Sequence, residues 1–198
     1  MIIIGLTGSI AMGKTEVANI FRAEAIPVFD ADKAVHALYD SPEGAALLGP
    51  FVPEAIVEDK VDRSTLSKLV LRQPALLEKL ETIVHTEIAR KRTLFVAQSE
   101  KEGHGIVVVD VPLLFEKSGG KQVDVTVVVS SPEDLQHQRA LARPGMTQQK
   151  LDMILRRQMP DAEKRRLANY VIINDGSLGD LRENTLAVLA NIKKEHRL

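Results

Sequence analysis

The sequence predicts an α/β fold, a parallel sheet of five short strands with helices packed on its faces. Apolar, β-branched runs recur at residues 2–6, 26–29, 106–109, 123–129 and 170–173, the composition of strands covered on both sides. The segments between them place apolar residues three and four apart, the period of a helix with one buried side. Between the first strand and the first helix lies Gly8-Ser9-Ile10-Ala11-Met12-Gly13-Lys14-Thr15, which fits G-x-x-x-x-G-K-[ST] at every fixed position.

That loop is the centre of the reading. Gly8 and Gly13 let the backbone bend so that successive N–H groups face a phosphate. The helix that follows, with Val17, Ile20 and Phe21 on one side, adds its unpaired N–H groups and the positive end of its dipole. Lys14 is placed to reach the β- and γ-phosphates of a nucleotide, and the Thr15 hydroxyl to ligate Mg²⁺. The second strand ends in Asp30-Ala31-Asp32, a carboxylate pair at the carboxyl edge where open α/β sheets bind ligands. One of the two aspartates is expected to cap the next helix instead.

From residue 41 to residue 102 the character changes: prolines 42, 50 and 53 are followed by helical spacing through Leu66, Leu69, Leu76, Leu80, Val84 and Ile88. No strand is predicted there. This span reads as a helical lobe inserted in a core made of 1–40 and 103–198. Arg90, Lys91 and Arg92 read as a solvated face, and His85 on composition alone as a structural residue.

Ile106-Val107-Val108-Val109-Asp110 has the form of a strand whose closing carboxylate lies near a nucleotide's Mg²⁺. Its continuation, Val111-Pro112-Leu113-Leu114-Phe115-Glu116, is apolar enough to wall a substrate site. Ser130-Ser131-Pro132-Glu133 opens the next helix with a capping serine, and Arg139 and Arg143 share a face of it. Pro144-Gly145 breaks that helix; with Arg156, Arg157, Lys164, Arg165 and Arg166 it suggests a lid over a triphosphate at about residues 136–168. Asn174-Asp175-Gly176 turns the chain into a closing helix whose stripe includes Leu178, Leu181 and Leu189.

Bulk properties narrow the class. At 198 residues the chain can bury a full core. With 26 basic and 27 acidic residues it has no net field to draw nucleic acid or a membrane surface, and neither partner is expected. The absence of cysteine excludes disulfides and thiolate metal sites and suits a reducing compartment. The apolar start ends at Gly5 and lacks a basic flank, so no signal peptide is predicted and the location expected is cytoplasmic.

Over nearly its full length the chain resembles the dephospho-CoA kinases. The likeness is carried by Gly5-Leu6-Thr7-Gly8 running into Gly13-Lys14-Thr15, by Asp30-Ala31-Asp32, and by Asp110-Val111-Pro112-Leu113-Leu114-Phe115-Glu116. Gln136 to Arg143 in the pattern Q-x-x-R-x-x-x-R, Arg157-Gln158-Met159, Lys164, Ala168 and Val171-Ile172-Ile173-Asn174 extend it. The resemblance implies a three-layer P-loop NTPase core with strand order 2-3-1-4-5, a helical substrate domain and a lid. It implies transfer of the γ-phosphoryl of ATP, with Mg²⁺, to the ribose 3′-hydroxyl of dephospho-CoA. Lys14, Asp32 and Arg143 are then the catalytic residues, with Asp32 the candidate base. Ala11, Met12, Gly13, Lys14, Thr15, Glu16 and Arg139 are expected to bind ATP, and Asn174 to lie by its adenine. Asp32, Asp110, Pro112, Leu113, Leu114 and His85 are expected to bind the acceptor, and Thr15 and Asp110 to hold the metal.

Three departures from the family pattern stand out. The usual loop is Gly-Gly-Ile-Gly-Ser-Gly-Lys; here Ser9, Ala11 and Met12 intervene, and Met12 must point outward. The family's His-Pro is His85-Thr86, and Arg143 is followed by Pro144. Two rival readings remain. Another small-metabolite kinase of this architecture would share the loop and lid but not the need for the apolar wall. A nucleotide-switched binding protein is disfavoured, because no N-K-x-D string is present and Asp110 is not followed by x-x-Gly.

Overall fold

The computed structural model describes residues 1–116 and 123–197, so part of the expected core span 103–198 lies outside the described residues. In chain order the elements are β1 (Ile2–Thr7), α1 (Lys14–Ala23), β2 (Val28–Asp30), α2 (Ala31–Tyr39) and α3 (Pro42–Leu48). A 3₁₀ turn (Pro53–Ala55), β3 (Ile56–Val57), β4 (Lys60–Val61), α4 (Arg63–Arg72) and α5 (Pro74–Lys101) follow. The chain continues through β5 (Ile106–Asp110), β6 (Val125–Ser130), α6 (Glu133–Leu141), α7 (Gln148–Leu155), α8 (Asp161–Leu167), β7 (Tyr170–Ile173) and α9 (Leu178–Glu195).

The first compact unit, residues 1–29 and 99–198, is organised on a five-stranded parallel sheet of order β2-β5-β1-β6-β7. Counted among themselves these strands run 2-3-1-4-5. β1 lies between its partners, pairing Ile2 with Ile106 and Leu6 with Asp110 on one side, and Ile4 with Val125 on the other. This register brings the Asp110 carboxylate beside the start of the loop at Gly8. β5 and β6 are buried at every residue, which is why both read as unbroken apolar runs rather than alternating ones. Val17 and Phe21 from α1 join Leu181, Leu189 and Ile192 from α9 and Ile4, Val108, Val127 and Ile172 from the sheet in one core. Full burial of a side chain such as Phe21 contributes roughly 1.5–3 kcal/mol before chain entropy is counted.

Several boundaries differ from the expectation. The second strand begins at Val28, not 26, and the fourth at Val125, because Asp124 turns its side chain back to accept the Ile3 N–H at 2.8 Å. Ser131 does not cap α6. Pro132 occupies that position with no side-chain cap, and the Ser131 hydroxyl donates to the Asn174 carbonyl instead. On α9, Leu178 is exposed while Leu181 is buried, so the apolar stripe starts one turn later than the spacing suggests.

The second compact unit is residues 30–98, so α2, expected in the core, belongs with the helical insert. It holds a two-stranded antiparallel hairpin, β3 with β4, where no strand was predicted. Its turn residues Glu58 and Asp59 both take positive φ, 50° and 56°. A hairpin turn with two left-handed residues is ordinarily signalled by Asn-Gly, and Glu-Asp gives no such signal.

Candidate active site

The loop from Gly8 to Lys14 needs left-handed backbone at Ala11 (φ 62°) and at Gly13 (φ 95°). Gly13 is obligatory on a second ground: a Cβ there would lie 2.0 Å from the Asn174 Nδ2. That amide donates to the Met12 carbonyl at 2.9 Å and closes the loop from behind. Among the described residues, the N–H groups of Ala11, Gly13, Lys14 and Thr15 have no acceptor in the protein. They are donors at the start of α1, as an anion site requires. Lys14 is ion-paired with Asp110, which is almost wholly buried. The lysine is thus held at the loop by a carboxylate that a polyphosphate can replace.

Met12 does not point outward. Its side chain is buried, and its sulfur accepts the Ser131 N–H at 3.1 Å. The thioether fills space beneath the loop, leaving the concave side to backbone alone. Ala11 is likewise buried, against Ala140 and Leu151. Thr15 and Glu16 are exposed in the first turn of α1.

The two arginines expected over the phosphates differ. Arg139 donates to the Ser131 hydroxyl at 3.1 Å and to the Asn174 carbonyl at 3.0 Å, so its charge sits behind the loop. Arg143 lies past the end of α6, exposed, with no partner among the described residues. Asn174 is 8% exposed, its side chain serving the loop.

The apolar turn after β5 splits in role. Pro112 and Leu113 are half-buried, and the Pro112 carbonyl accepts the Thr7 hydroxyl at 3.0 Å. Leu114, expected in a substrate wall, is buried instead, its Cδ2 so close to Gly5 that a Cβ there would lie 2.9 Å away. Glu116 is the anchor of the turn. Its carboxylate takes the Met159 N–H at 2.8 Å and pairs with Lys164 at 2.9 Å. Burial pushes the Glu116 carboxyl up, but the Lys164 ammonium and the Met159 N–H outweigh it and hold it below the usual glutamate range. Lys164, expected among the lid's surface charges, is therefore fully buried.

Two residues with no expected role act on the loop directly. Gln158 accepts the Ile10 N–H at 3.0 Å, and Gln136 donates to the Ile10 carbonyl at 2.9 Å. The Q-x-x-R-x-x-x-R pattern contains Gln136, and Arg157-Gln158-Met159 contains the other, but nothing in spacing shows that both reach the backbone of one residue.

In the second unit the aspartate pair resolves. Asp30 is the cap of α2, accepting the Lys33 N–H at 3.0 Å. Asp32 stands in the first turn of that helix, exposed and with no partner among the described residues. His85 lines a cavity of about 370 Å³ formed by Val35, Tyr39, Arg63, Leu66, Val70 and Leu80, among others. Its walls are mostly aliphatic, with Tyr39, Arg63, Glu81 and His85 as the charged or titratable groups.

A nucleotide-binding loop on the central strand of a parallel sheet, with its lysine beside the carboxylate of the neighbouring strand, defines a P-loop kinase. The sequence profile of the dephospho-CoA kinases matches residues 2–180. The dephospho-CoA kinase of Brucella abortus (strain 2308) is 47% identical over 192 residues, 97% of this chain and 96% of that relative. That of Rhodopseudomonas palustris (strain BisB18) is 44% identical over 194 residues, 98% and 97% of the two chains. Of solved structures, the dephospho-CoA kinase from Campylobacter jejuni superposes with a TM-score of 0.74 at 25% identity, over 98% of each chain. Shikimate kinase from Acinetobacter baumannii, with a TM-score of 0.54 at 18% identity over 98% of this chain and 94% of its own, shares the fold alone. The chain belongs to the dephospho-CoA kinase family.

Proposed function

We propose that this chain transfers the γ-phosphoryl group of ATP to the ribose 3′-hydroxyl of dephospho-CoA, giving CoA and ADP, the closing step of coenzyme A synthesis. The observation that carries the reading is the loop itself: N–H groups at Ala11, Gly13, Lys14 and Thr15 without acceptors among the described residues, beside a lysine paired with the buried Asp110. In the transfer, a bond forms from the 3′-oxygen to the γ-phosphorus as the bond from that phosphorus to the β–γ bridging oxygen breaks. The hydroxyl proton passes to a carboxylate.

Roles follow from what each residue is free to do. Lys14 exchanges Asp110 for the β- and γ-phosphate oxygens, and the loop N–H groups hold the β-phosphate. Arg143, whose side chain no described residue holds, is the lid cation for the charge on the transferring phosphoryl, whereas Arg139 is committed to Ser131 and Asn174. Asp32, the aspartate not consumed in capping α2, is the acceptor of the proton. Asp110 and the Thr15 hydroxyl are hard oxygen donors that fit Mg²⁺, which when bound neutralises phosphate charge. The aliphatic cavity with Arg63 and His85 suits an acceptor with an apolar arm and anionic groups, and we assign His85 to its wall. Pro112 and Leu113 remain acceptor contacts in this reading.

The test is ADP release coupled to dephospho-CoA, run against a panel of other hydroxyl acceptors. Turnover with dephospho-CoA far above every other acceptor is expected. Preference for a different alcohol would overturn the acceptor assignment and favour a related small-metabolite kinase.

A further inference from the structure

The loop here is short of glycine. Between Gly8 and Gly13 stand Ser9, Ile10, Ala11 and Met12, yet Ala11 takes φ 62°, a region that disfavours any side chain. Something must keep it there, since relaxing Ala11 to negative φ turns the peptide planes on either side of it. The N–H groups that face the phosphates turn with them. Two glutamines, one through its carbonyl oxygen and the other through its amide nitrogen, grip the peptide groups of the preceding residue. Gln158, between α7 and α8, accepts the Ile10 N–H at 3.0 Å, and Gln136 on α6 donates to the Ile10 carbonyl at 2.9 Å. The same helices pack apolar groups on this stretch, Ala140 and Leu151 against Ala11, with Ile10 and Leu155 beside them.

We propose that Gln136 and Gln158 are positioning residues that hold the left-handed turn at Ala11 and so preform the phosphate cradle. The inference rests on the reading of this loop as the ATP site. Neither glutamine touches the reacting atoms; each acts through Ile10. Because the grip comes from α6 and from the segment between α7 and α8, the shape of the loop depends on where these lid elements sit. The chemistry demanded at the two positions is opposite: position 158 must accept a hydrogen bond, and position 136 must donate one. A carboxylate satisfies the first demand and fails the second.

The experiment is a set of four single variants, Gln158→Met, Gln158→Glu, Gln136→Met and Gln136→Glu, assayed for KM of ATP, KM of dephospho-CoA, kcat and melting temperature. Leaving one part-buried peptide group unpaired weakens the cradle, so Gln158→Met and both Gln136 variants should raise KM for ATP about tenfold. KM for dephospho-CoA should stay within about twofold, since the acceptor does not read this loop. Gln158→Glu should keep KM for ATP within about threefold of the unaltered chain, because its carboxylate accepts the Ile10 N–H. A second test removes the need for the grip. In an Ala11→Gly background, where positive φ carries no penalty, Gln158→Met should raise KM for ATP by clearly less than in the Ala11 chain.

Equal damage from Gln158→Met and Gln158→Glu, or the same Gln158→Met penalty in both backgrounds, overturns the proposal. So do equal rises in both KM values. Should the buried Gln136 variants fail to fold, the Gln158 pair and its glycine background decide alone. Calorimetric titration of the unaltered chain with ATP, without acceptor, checks the underlying reading separately: no binding there rejects the ATP site itself, whatever the variants do.

Discussion

At Gly13 a methyl group would meet the Asn174 Nδ2 at 2.0 Å, in backbone at φ 95° that a side chain already disfavours. Gly13→Ala should therefore cost roughly 1–3 kcal/mol, read as a lower urea midpoint, and weaken ATP binding by calorimetry. Lys14→Ala removes a cation aimed at developing phosphate charge, and kcat should fall by about 10²–10³ while circular dichroism reports an intact fold. The two aspartates separate cleanly by experiment. Asp32→Asn should lower kcat by about 10²–10⁴ with little change in melting temperature, the signature of a lost proton acceptor. Asp30→Ala should instead lower stability by about 1 kcal/mol through the missing cap. If Asp32→Asn keeps full kcat, the base is elsewhere. The sequence showed the loop because its fixed residues are dictated by backbone geometry. It could not separate Asp30 from Asp32, since both fit a strand-to-helix junction and only the N–H of Lys33 distinguishes them.

Among the elements, the turn after β5 and α8 are joined by the Glu116–Lys164 pair, with Lys164 fully buried. Lys164→Met strands a carboxylate and should destabilise by roughly 3–5 kcal/mol, while Glu116→Gln with Lys164→Met should recover much of that loss. Glu116 is held below its ordinary value of 4.5. Its contribution is thus complete above that value and is lost as pH falls through the lower folded one. Urea midpoints of the unaltered chain should drop with acid more steeply than those of Glu116→Gln. In the hairpin of β3 and β4, Glu58→Asn with Asp59→Gly supplies residues suited to two positive φ values and should raise stability by up to about 1 kcal/mol, read as a higher urea midpoint. The buried strands were plain in the sequence because burial on both faces leaves no polar alternation. β3 and β4 were not, as two residues each carry no period. Nor was the Lys164 pair, because a lysine amid surface charges gives no sign of burial in composition.

For the whole molecule, the change of character after residue 41 was legible, but the start of the second compact unit at residue 30 was not, since α2 follows β2 without any break in composition. The two units should respond to different ligands. Hydrogen exchange with a non-hydrolysable ATP analogue should slow amides at residues 8–16, and dephospho-CoA should slow amides within 30–98. Protection of residues 30–98 by the nucleotide alone, with none from dephospho-CoA, would reverse the assignment of the two sites. Among the described residues no helix is long and apolar enough to cross a membrane.

The pairing of β1 with β5 and β6 also bears on how the chain is made. β1 leaves the ribosome ahead of both of its neighbours, which lie beyond residue 105. At about 5–20 residues per second, the strand that carries the phosphate loop waits several seconds or more before either edge is paired. Over that interval residues 30–98 emerge whole and are free to fold on their own contacts. An apolar strand with two open edges is an aggregation hazard during the wait, and synthesis paused before β6 would prolong it. Nascent chains stalled short of residue 106 should thus be held by chaperones through β1, and released once β5 and β6 have appeared.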